Sequence, residues 1–402
     1  MRLIKGTITA IIALMAILPM SGQNELKRAT AGIGKLDKLE ESRRLVNEAK
    51  QDSACPDMLR AYYVAGKLEI SAFEIRETKR KINPGDKLAD VAEMNRELCD
   101  GYDNYLRALQ LDTTIDAKGR AKVRYSKEIA KSLNLHHSDY YRYGAEMYNK
   151  RKYYPEAYRS FMIYGEMPRQ SWATKSVKET RDSLLAKSYY YAGIGAYSAG
   201  EMEAAAVALG KAREHGISEE RSYIFEIATW KNIMMRDPSK ESVAKNAIEA
   251  SAREAYRRYG TKNPLYISSL ISTMVDNGKT AEAREIADRE IGLHPDESHL
   301  YALRAWINER DYEPDKALAD YCKAADLKGA NAETLTKAAK KLYERGRELW
   351  NRLEGAEVEK RKEIKEKYYL VAKGYAERAK ELSPNDSDTE LVLMSINYDL
   401  AL

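Results

Sequence analysis

Five histidines, three cysteines and 62 carboxylates are what this chain of 402 residues offers for chemistry. A zinc hydrolase needs histidines on one helix face with a carboxylate beside them. His136-His137 instead precedes Ser138 and Asp139 where a helix is expected to begin, which reads as a capping arrangement. His294 and His299 flank Pro295-Asp296-Glu297-Ser298 and could approach one another, but no thiolate or third ligand lies near them. Gly193-Ile194-Gly195 lacks the preceding strand and third glycine of a dinucleotide loop, so close helix packing explains it better. Neither a GxxxxGK[ST] phosphate loop nor a GxSxG serine elbow is present. Nothing sets the acidic pairs across a cleft. The chain reads as non-catalytic, with no metal and no cofactor.

Charge excludes a further class. Lys and Arg total 67 against 62 acidic residues, a net charge of +5, and the densest run, Glu357–Lys367, alternates sign. Such a run is a solvated helix face, so nucleic acid is not an expected partner. Arg2 and Lys5, an apolar run from Ile8 to Met20, and Ser21-Gly22-Gln23 follow the order of a secretory signal peptide. The run is too short to span a bilayer. Residues 1–23 are therefore expected to be removed, leaving a soluble mature chain from about Asn24 with no membrane span. An uncleaved anchor is the alternative. Cys55, Cys99 and Cys322 are expected as free, mostly buried thiols, with a Cys55–Cys99 bridge as the alternative.

The elements that would position a site are helical, for no stretch alternates with period two as a strand does. The organising stretch is Lys187–Ile217. Tyr189–Ala199 forms one helix, Ala199-Gly200-Glu201 a turn and Met202–Glu214 a second helix, stopped by His215-Gly216. Small residues at Gly193, Ala205 and Ala212 are spaced by 12 and then 7. Ala305, Ala317 and Ala324 repeat that spacing, Ala145 and Ala157 share its first step, and Ala283 lies 34 residues before Ala317. Gly66 occupies a similar place in a longer hairpin, Met58–Arg80 with Lys87–Leu111. Before it, Gly32 and Gly34 suggest a flexible leader, and Leu36, Leu39, Leu45, Val46 and Ala49 a solitary capping helix. Lys118–Leu135 has helical apolar spacing. The clearest hairpins cover 139–169, 187–217, 265–296 and 298–329, with an extended last one over 331–384 and a capping helix Asp388–Leu400. Between Arg221 and Gly260 the signature fades.

This spacing, at intervals near 34 residues, resembles the tetratricopeptide (TPR) repeat. The unequal repeats, long last hairpin and signal peptide resemble exported TPR proteins of Gram-negative bacteria. The resemblance implies an all-α, right-handed α-solenoid of about six to seven TPR-like helical hairpins with terminal capping helices, running as one array through 24–402. It also implies a concave groove lined by the first helix of each pair, placing Tyr63, Lys67, Arg142, Glu146, Tyr190, Ile194, Tyr197, Trp306 and Arg310 there. Tyr, Trp and Arg are the side chains that anchor interfaces. The Lys/Asn/Lys/Arg clamp of chaperone-binding TPR domains is not reproduced at these positions. The function implied is a periplasmic scaffold for a protein or peptide partner in the cell envelope. A glycan-binding component of outer-membrane nutrient uptake is the alternative, an enzyme within Arg221–Gly260 a third reading, and homo-oligomers through Asp388–Leu400 are possible.

Overall fold

A computed structural model of the chain describes residues 23–52, 55, 57–86, 90–112, 114–115, 121–353 and 357–401. The expected signal segment up to residue 22 lies outside them, as do most of the Ser53–Pro56 break, Lys87 and Lys118. The fold is all-α, with helices packed as successive antiparallel pairs. Contacts divide it into two compact units, Met1–Ile233 and Met234–Leu402. The division falls inside the stretch where the repeat signature fades.

In the first unit, α1 (Leu39–Gln51) packs on α2 (Met58–Ile82), which pairs with α3 (Val91–Leu111). There follow α4 (Ser126–Leu135), α5 (His137–Asn149), α6 (Tyr154–Glu166), a single turn α7 (Lys175–Lys178), α8 (Asp182–Ala199) and α9 (Met202–Glu214). α10 (Glu220–Arg236) crosses the division. Helix starts follow local chemistry: Asp57 accepts the Arg60 backbone N–H, and Asp90 accepts those of Ala92 and Glu93. The second unit holds α11 (Glu241–Tyr259), α12 (Pro264–Asp276), α13 (Thr280–Leu293), α14 (Ser298–Arg310), α15 (Pro314–Asp326), α16 (Ala332–Asn351), α17 (Val358–Ile364), α18 (Leu370–Leu382) and α19 (Ser387–Ala401).

Several expectations are corrected. Residues 23–30 are helical with Leu26 and Ala29 buried, so this part of the leader is packed. Of the described residues of the Lys118–Leu135 segment, only Ser126 onward is helix; Ala121–Lys122 pairs antiparallel with Thr114–Ile115, a two-residue ladder where no strand was expected. Asp112 closes that excursion by accepting the backbone N–H groups of Arg124, Tyr125 and Ser126. α8 begins at Asp182, seven residues before Tyr189. The last long hairpin is interrupted by a π turn over Lys365–Tyr369, between α17 and α18.

Most of the nominated small residues are buried. A Cβ on Gly66 would run into the Tyr105 ring, and one on Gly193 would lie 2.6 Å from Leu209. Ala157, Ala205, Ala212, Ala283, Ala305 and Ala324 have no exposed surface, and Ala317 is 2% exposed. The left-handed turn residue falls seven positions after the crossing: Gly200 (φ 84°) after Gly193, and Tyr312 (φ 58°) after Ala305. By that measure the α5–α6 crossing is at Gly144, seven before Arg151 (φ 59°). Gly144 is buried against Phe161, whereas Ala145 is only partly buried. That pair has one extra turn residue, which moves the crossing one position from the expected Ala145.

Three substitutions test this register. Leu at Ala205 or Ala317 overpacks a crossing and should lower stability by roughly 1–3 kcal/mol in urea unfolding. Tyr312→Gly should raise it by about 1 kcal/mol, because the left-handed backbone is costly for a side chain. The Tyr312 side chain is 92% exposed, so little packing is lost.

Candidate protein-interaction surface

The first helices α2, α5 and α8 of the first unit and α14 of the second carry the residues nominated from the sequence. Tyr63 is 8% exposed. Its ring stacks on Tyr125 at 3.9 Å, and its hydroxyl donates to Glu128 at 2.8 Å. Lys67 pairs with the same Glu128 at 2.5 Å, so α4 and the turn before it cover this face. Arg142 donates to Glu77 and Asp139 at 2.9 and 2.7 Å, and Glu146 accepts from Arg80 at 2.7 Å. Four nominated residues are thus engaged within the unit. Tyr190 and Ile194 are buried, and Tyr197 is half-buried with its ring edge-on to Phe225. Trp306 remains partly exposed, with the exposed Arg310 guanidinium 5.3 Å from its ring.

The titratable clusters are structural in their geometry. His136, 6% exposed, places Nδ1 2.9 Å from Asp139 and Nε2 3.2 Å from Glu74, edge-on to Phe73. Burial alone would depress its pKa, but the two carboxylates outweigh burial and push it up to about 9. His137 stacks flat on Tyr164 at 4.3 Å. No side chain caps α5, so the expected capping role of this pair is replaced by these contacts. His294 and His299 lie 4.0 and 3.4 Å from Glu290 and Glu297. Among the described residues no three His, Cys, Asp or Glu side chains are grouped to hold a metal. The three cysteines are free. Cys99 is buried against Ser160 at 3.2 Å, and burial pushes its thiol up to about 12, which leaves it unreactive.

An open groove lies instead in the second unit, between α16 and α19. Thr336 and Thr389 hydroxyls meet at 2.6 Å, and the Tyr343 hydroxyl donates to Asp399 at 2.7 Å. Both sets of residues ascend together, so the helices run parallel, as first helices of successive pairs do. The groove encloses about 440 Å³, lined by Lys337, Lys340, Tyr343 and Arg347 on one side and Leu391 and Ser395 on the other. Leu391 is 61% exposed. Sequence reasoning treated Asp388–Leu400 as a cap and missed this wall. The signal was present: Ser383-Pro384-Asn385-Asp386 precedes α19 much as His294-Pro295-Asp296 precedes α14.

No family model matches the chain, and no curated protein matches it. Solved TPR structures do. A thermophilic TPR protein of Thermus thermophilus is 15% identical, with 54% of this chain and 100% of that one covered and a TM-score of 0.34. YrrB, described as a TPR protein with an unusual peptide-binding site, is 17% identical over 54% of this chain and 94% of its own, TM-score 0.32. Yeast Tom70 is 14% identical over 94% of this chain and 88% of its own, TM-score 0.32. The chain is similar to these proteins in fold.

The His136 cluster carries a pH signature. Its folded pKa lies above the unfolded value of 6.5, so its contribution is complete below pH 6.5 and is lost as pH rises toward 9. Urea midpoints should fall over that window, and His136→Gln should flatten the fall. A variant with the parent's slope would remove the charged imidazolium from the account.

Proposed function

We propose that the protein is a non-catalytic interaction scaffold of the periplasm, and that the α16–α19 groove holds an extended segment of a protein partner. The groove itself carries the reading. Leu391 offers an apolar contact, while Lys337, Lys340 and Arg347 outnumber the Glu344 and Asp388 carboxylates that also line it. The segment it suits has an apolar side chain flanked by acidic ones. The Thr336–Thr389 and Tyr343–Asp399 hydrogen bonds fix the walls beforehand, so binding orders little on the protein side. Trp306 and Arg310 add an exposed aromatic–cation pair on another first helix of the same unit. Export is supported by the charged, apolar and small-residue order of residues 2–23. No described helix is long and apolar enough to cross a membrane.

A photo-cross-linking residue at Ser395, introduced in cells, should capture a discrete protein partner. Lys340→Glu with Leu391→Glu should cut that capture about tenfold with unchanged helicity, since both side chains sit at the groove wall. Equal capture by the double variant would remove the groove from the proposal. Mass spectrometry of the envelope fraction should find an N-terminus near Asn24, and an intact Met1 or a cytosolic location would overturn export.

A further inference from the structure

The charged side chains that line the α16–α19 groove are Lys337, Lys340, Glu344, Arg347 and Asp388. Three of them are answered within the unit. Lys337 donates to Glu333 at 2.7 Å, Glu344 lies 3.6 Å from Lys341, and the Arg347 Nε lies 3.6 Å from Asp399. Lys340 on one wall and Asp388 on the other are exposed, and neither enters an ion pair among the described residues. They stand too far apart along the groove to meet. Thr336 and Thr389 mark one level, so Lys340 is level with Leu393, five residues or about 7.5 Å beyond Asp388.

The outer face of the α19 wall is apolar. Gly144 and Ala305, where second helices cross α5 and α14, lie eight residues past the N-cap positions His136 and Glu297. Counted from Asp386, which accepts the Thr389 backbone N–H at 2.9 Å, the same place in α19 is Met394. It is 63% exposed, and Leu391 and Tyr398 beside it are 61% and 68% exposed. Their spacing of three and four residues puts all three on one face. No described helix covers this stripe.

We propose that this face binds its counterpart on a second copy of the chain, the two α19 helices running antiparallel about a two-fold axis. The inference rests on the groove reading above and names an occupant for it. The groove suits an apolar side chain flanked by acidic ones, and α19 itself displays Leu391 and Met394 beside the exposed Asp388 and Glu390. When Leu391 meets Met394 of the second copy, the reversed direction brings Asp388 of that copy level with Asn397. That level falls between Lys340 and Arg347, about 6 Å along from the first and about 4.5 Å from the second, within reach of both long side chains. The contacts repeat across the axis, so each copy's unmatched lysine gains the other's unmatched aspartate. An acidic segment of another protein would answer Lys340 and leave Asp388 facing like charge, whereas a second copy answers both. Self-pairing covers the groove, so a partner segment competes with the second copy for it.

Sedimentation equilibrium of the purified protein at about 10–100 μM, where small interfaces assemble, should give twice the mass of one chain. Leu391→Glu with Met394→Glu should return a monomer with the parent's helicity and Tm, since both side chains are exposed. Lys340→Glu, which sets like charges across the axis, should weaken pairing about tenfold. A monomer throughout, a dimer that survives the double glutamate variant, or unaltered pairing in Lys340→Glu would overturn the inference. The result is separable from the capture of a partner in cells. A monomeric pure protein whose Ser395 cross-linker still captures another protein removes the second copy alone, and a dimeric one that captures no other protein removes the heterologous partner alone.

Discussion

The fold depends on how closely its paired helices cross. With Gly66 against the Tyr105 ring and Gly193 against Leu209, there is no room between helix axes for a branched side chain. Burial must then come from large residues placed beside the crossing, and the chain uses tyrosine for this, 29 against 3 Phe. The sequence suggests half-wet positions for these rings, yet Tyr140, Tyr143, Tyr189, Tyr223, Tyr266 and Tyr321 are all fully buried. A buried phenol needs a partner for its hydroxyl. Tyr189 finds Glu166 at 2.8 Å, Tyr321 finds Glu309 at 2.7 Å, and Tyr143 donates to Glu77. Close crossings thus lead to buried tyrosines, and buried tyrosines to carboxylates fixed inside the stack.

Those fixed carboxylates then decide which surfaces stay open. In the first unit Glu77 accepts from Tyr143 and from Arg142, which is also bound to Asp139. Arg80 bridges from α2 to Glu146 on α5. The first-helix face there is held by its own charges, and a partner would have to break several pairs to use it. Between α16 and α19 the internal bonds are made by Thr336, Tyr343 and Asp399. Lys340 is left without a carboxylate among the described residues, and Leu391 without an apolar cover.

Legibility followed the range of the interaction. The pair α8–α9, the buried alanines and the turn at Gly200 were readable because each depends on residues within one hairpin. The α5–α6 crossing was misplaced by one residue because Gly144 and Ala145 are both small, and only the turn at Arg151 distinguishes them. The fate of Tyr63 and Lys67 was not readable, since Tyr125 and Glu128, which cover them, come from a segment more than 55 residues onward. That segment was itself misjudged: the spacing over 118–135 fits a helix, but Ala121–Lys122 is a strand and Asp112 accepts from the backbone of Arg124, Tyr125 and Ser126, where the helix begins. Of the nominated groove residues, Lys67, Arg142, Glu146, Tyr197, Trp306 and Arg310 keep exposed surface, but the first three are held by ion pairs. Which first-helix residues are covered depends on distant segments that a repeat pattern does not encode.

The same reasoning separates a structural charge from a functional one. In a stack of helix pairs each element answers to its neighbours, so a charged residue between them is stable only when its partners are complete. The Arg80–Glu146 and Arg142–Glu77 pairs meet that condition and need no ligand to explain them. Glu97 does not: two arginines share one of its oxygens while the other, equally buried, has none. Burial pushes its pKa up to about 7, against the pull of Arg76 and Arg43. A buried carboxylate that two guanidiniums reach through one oxygen only is half-satisfied. The unmatched half, not the number of charges around it, is what distinguishes Glu97 from the ion pairs that seal the rest of the unit.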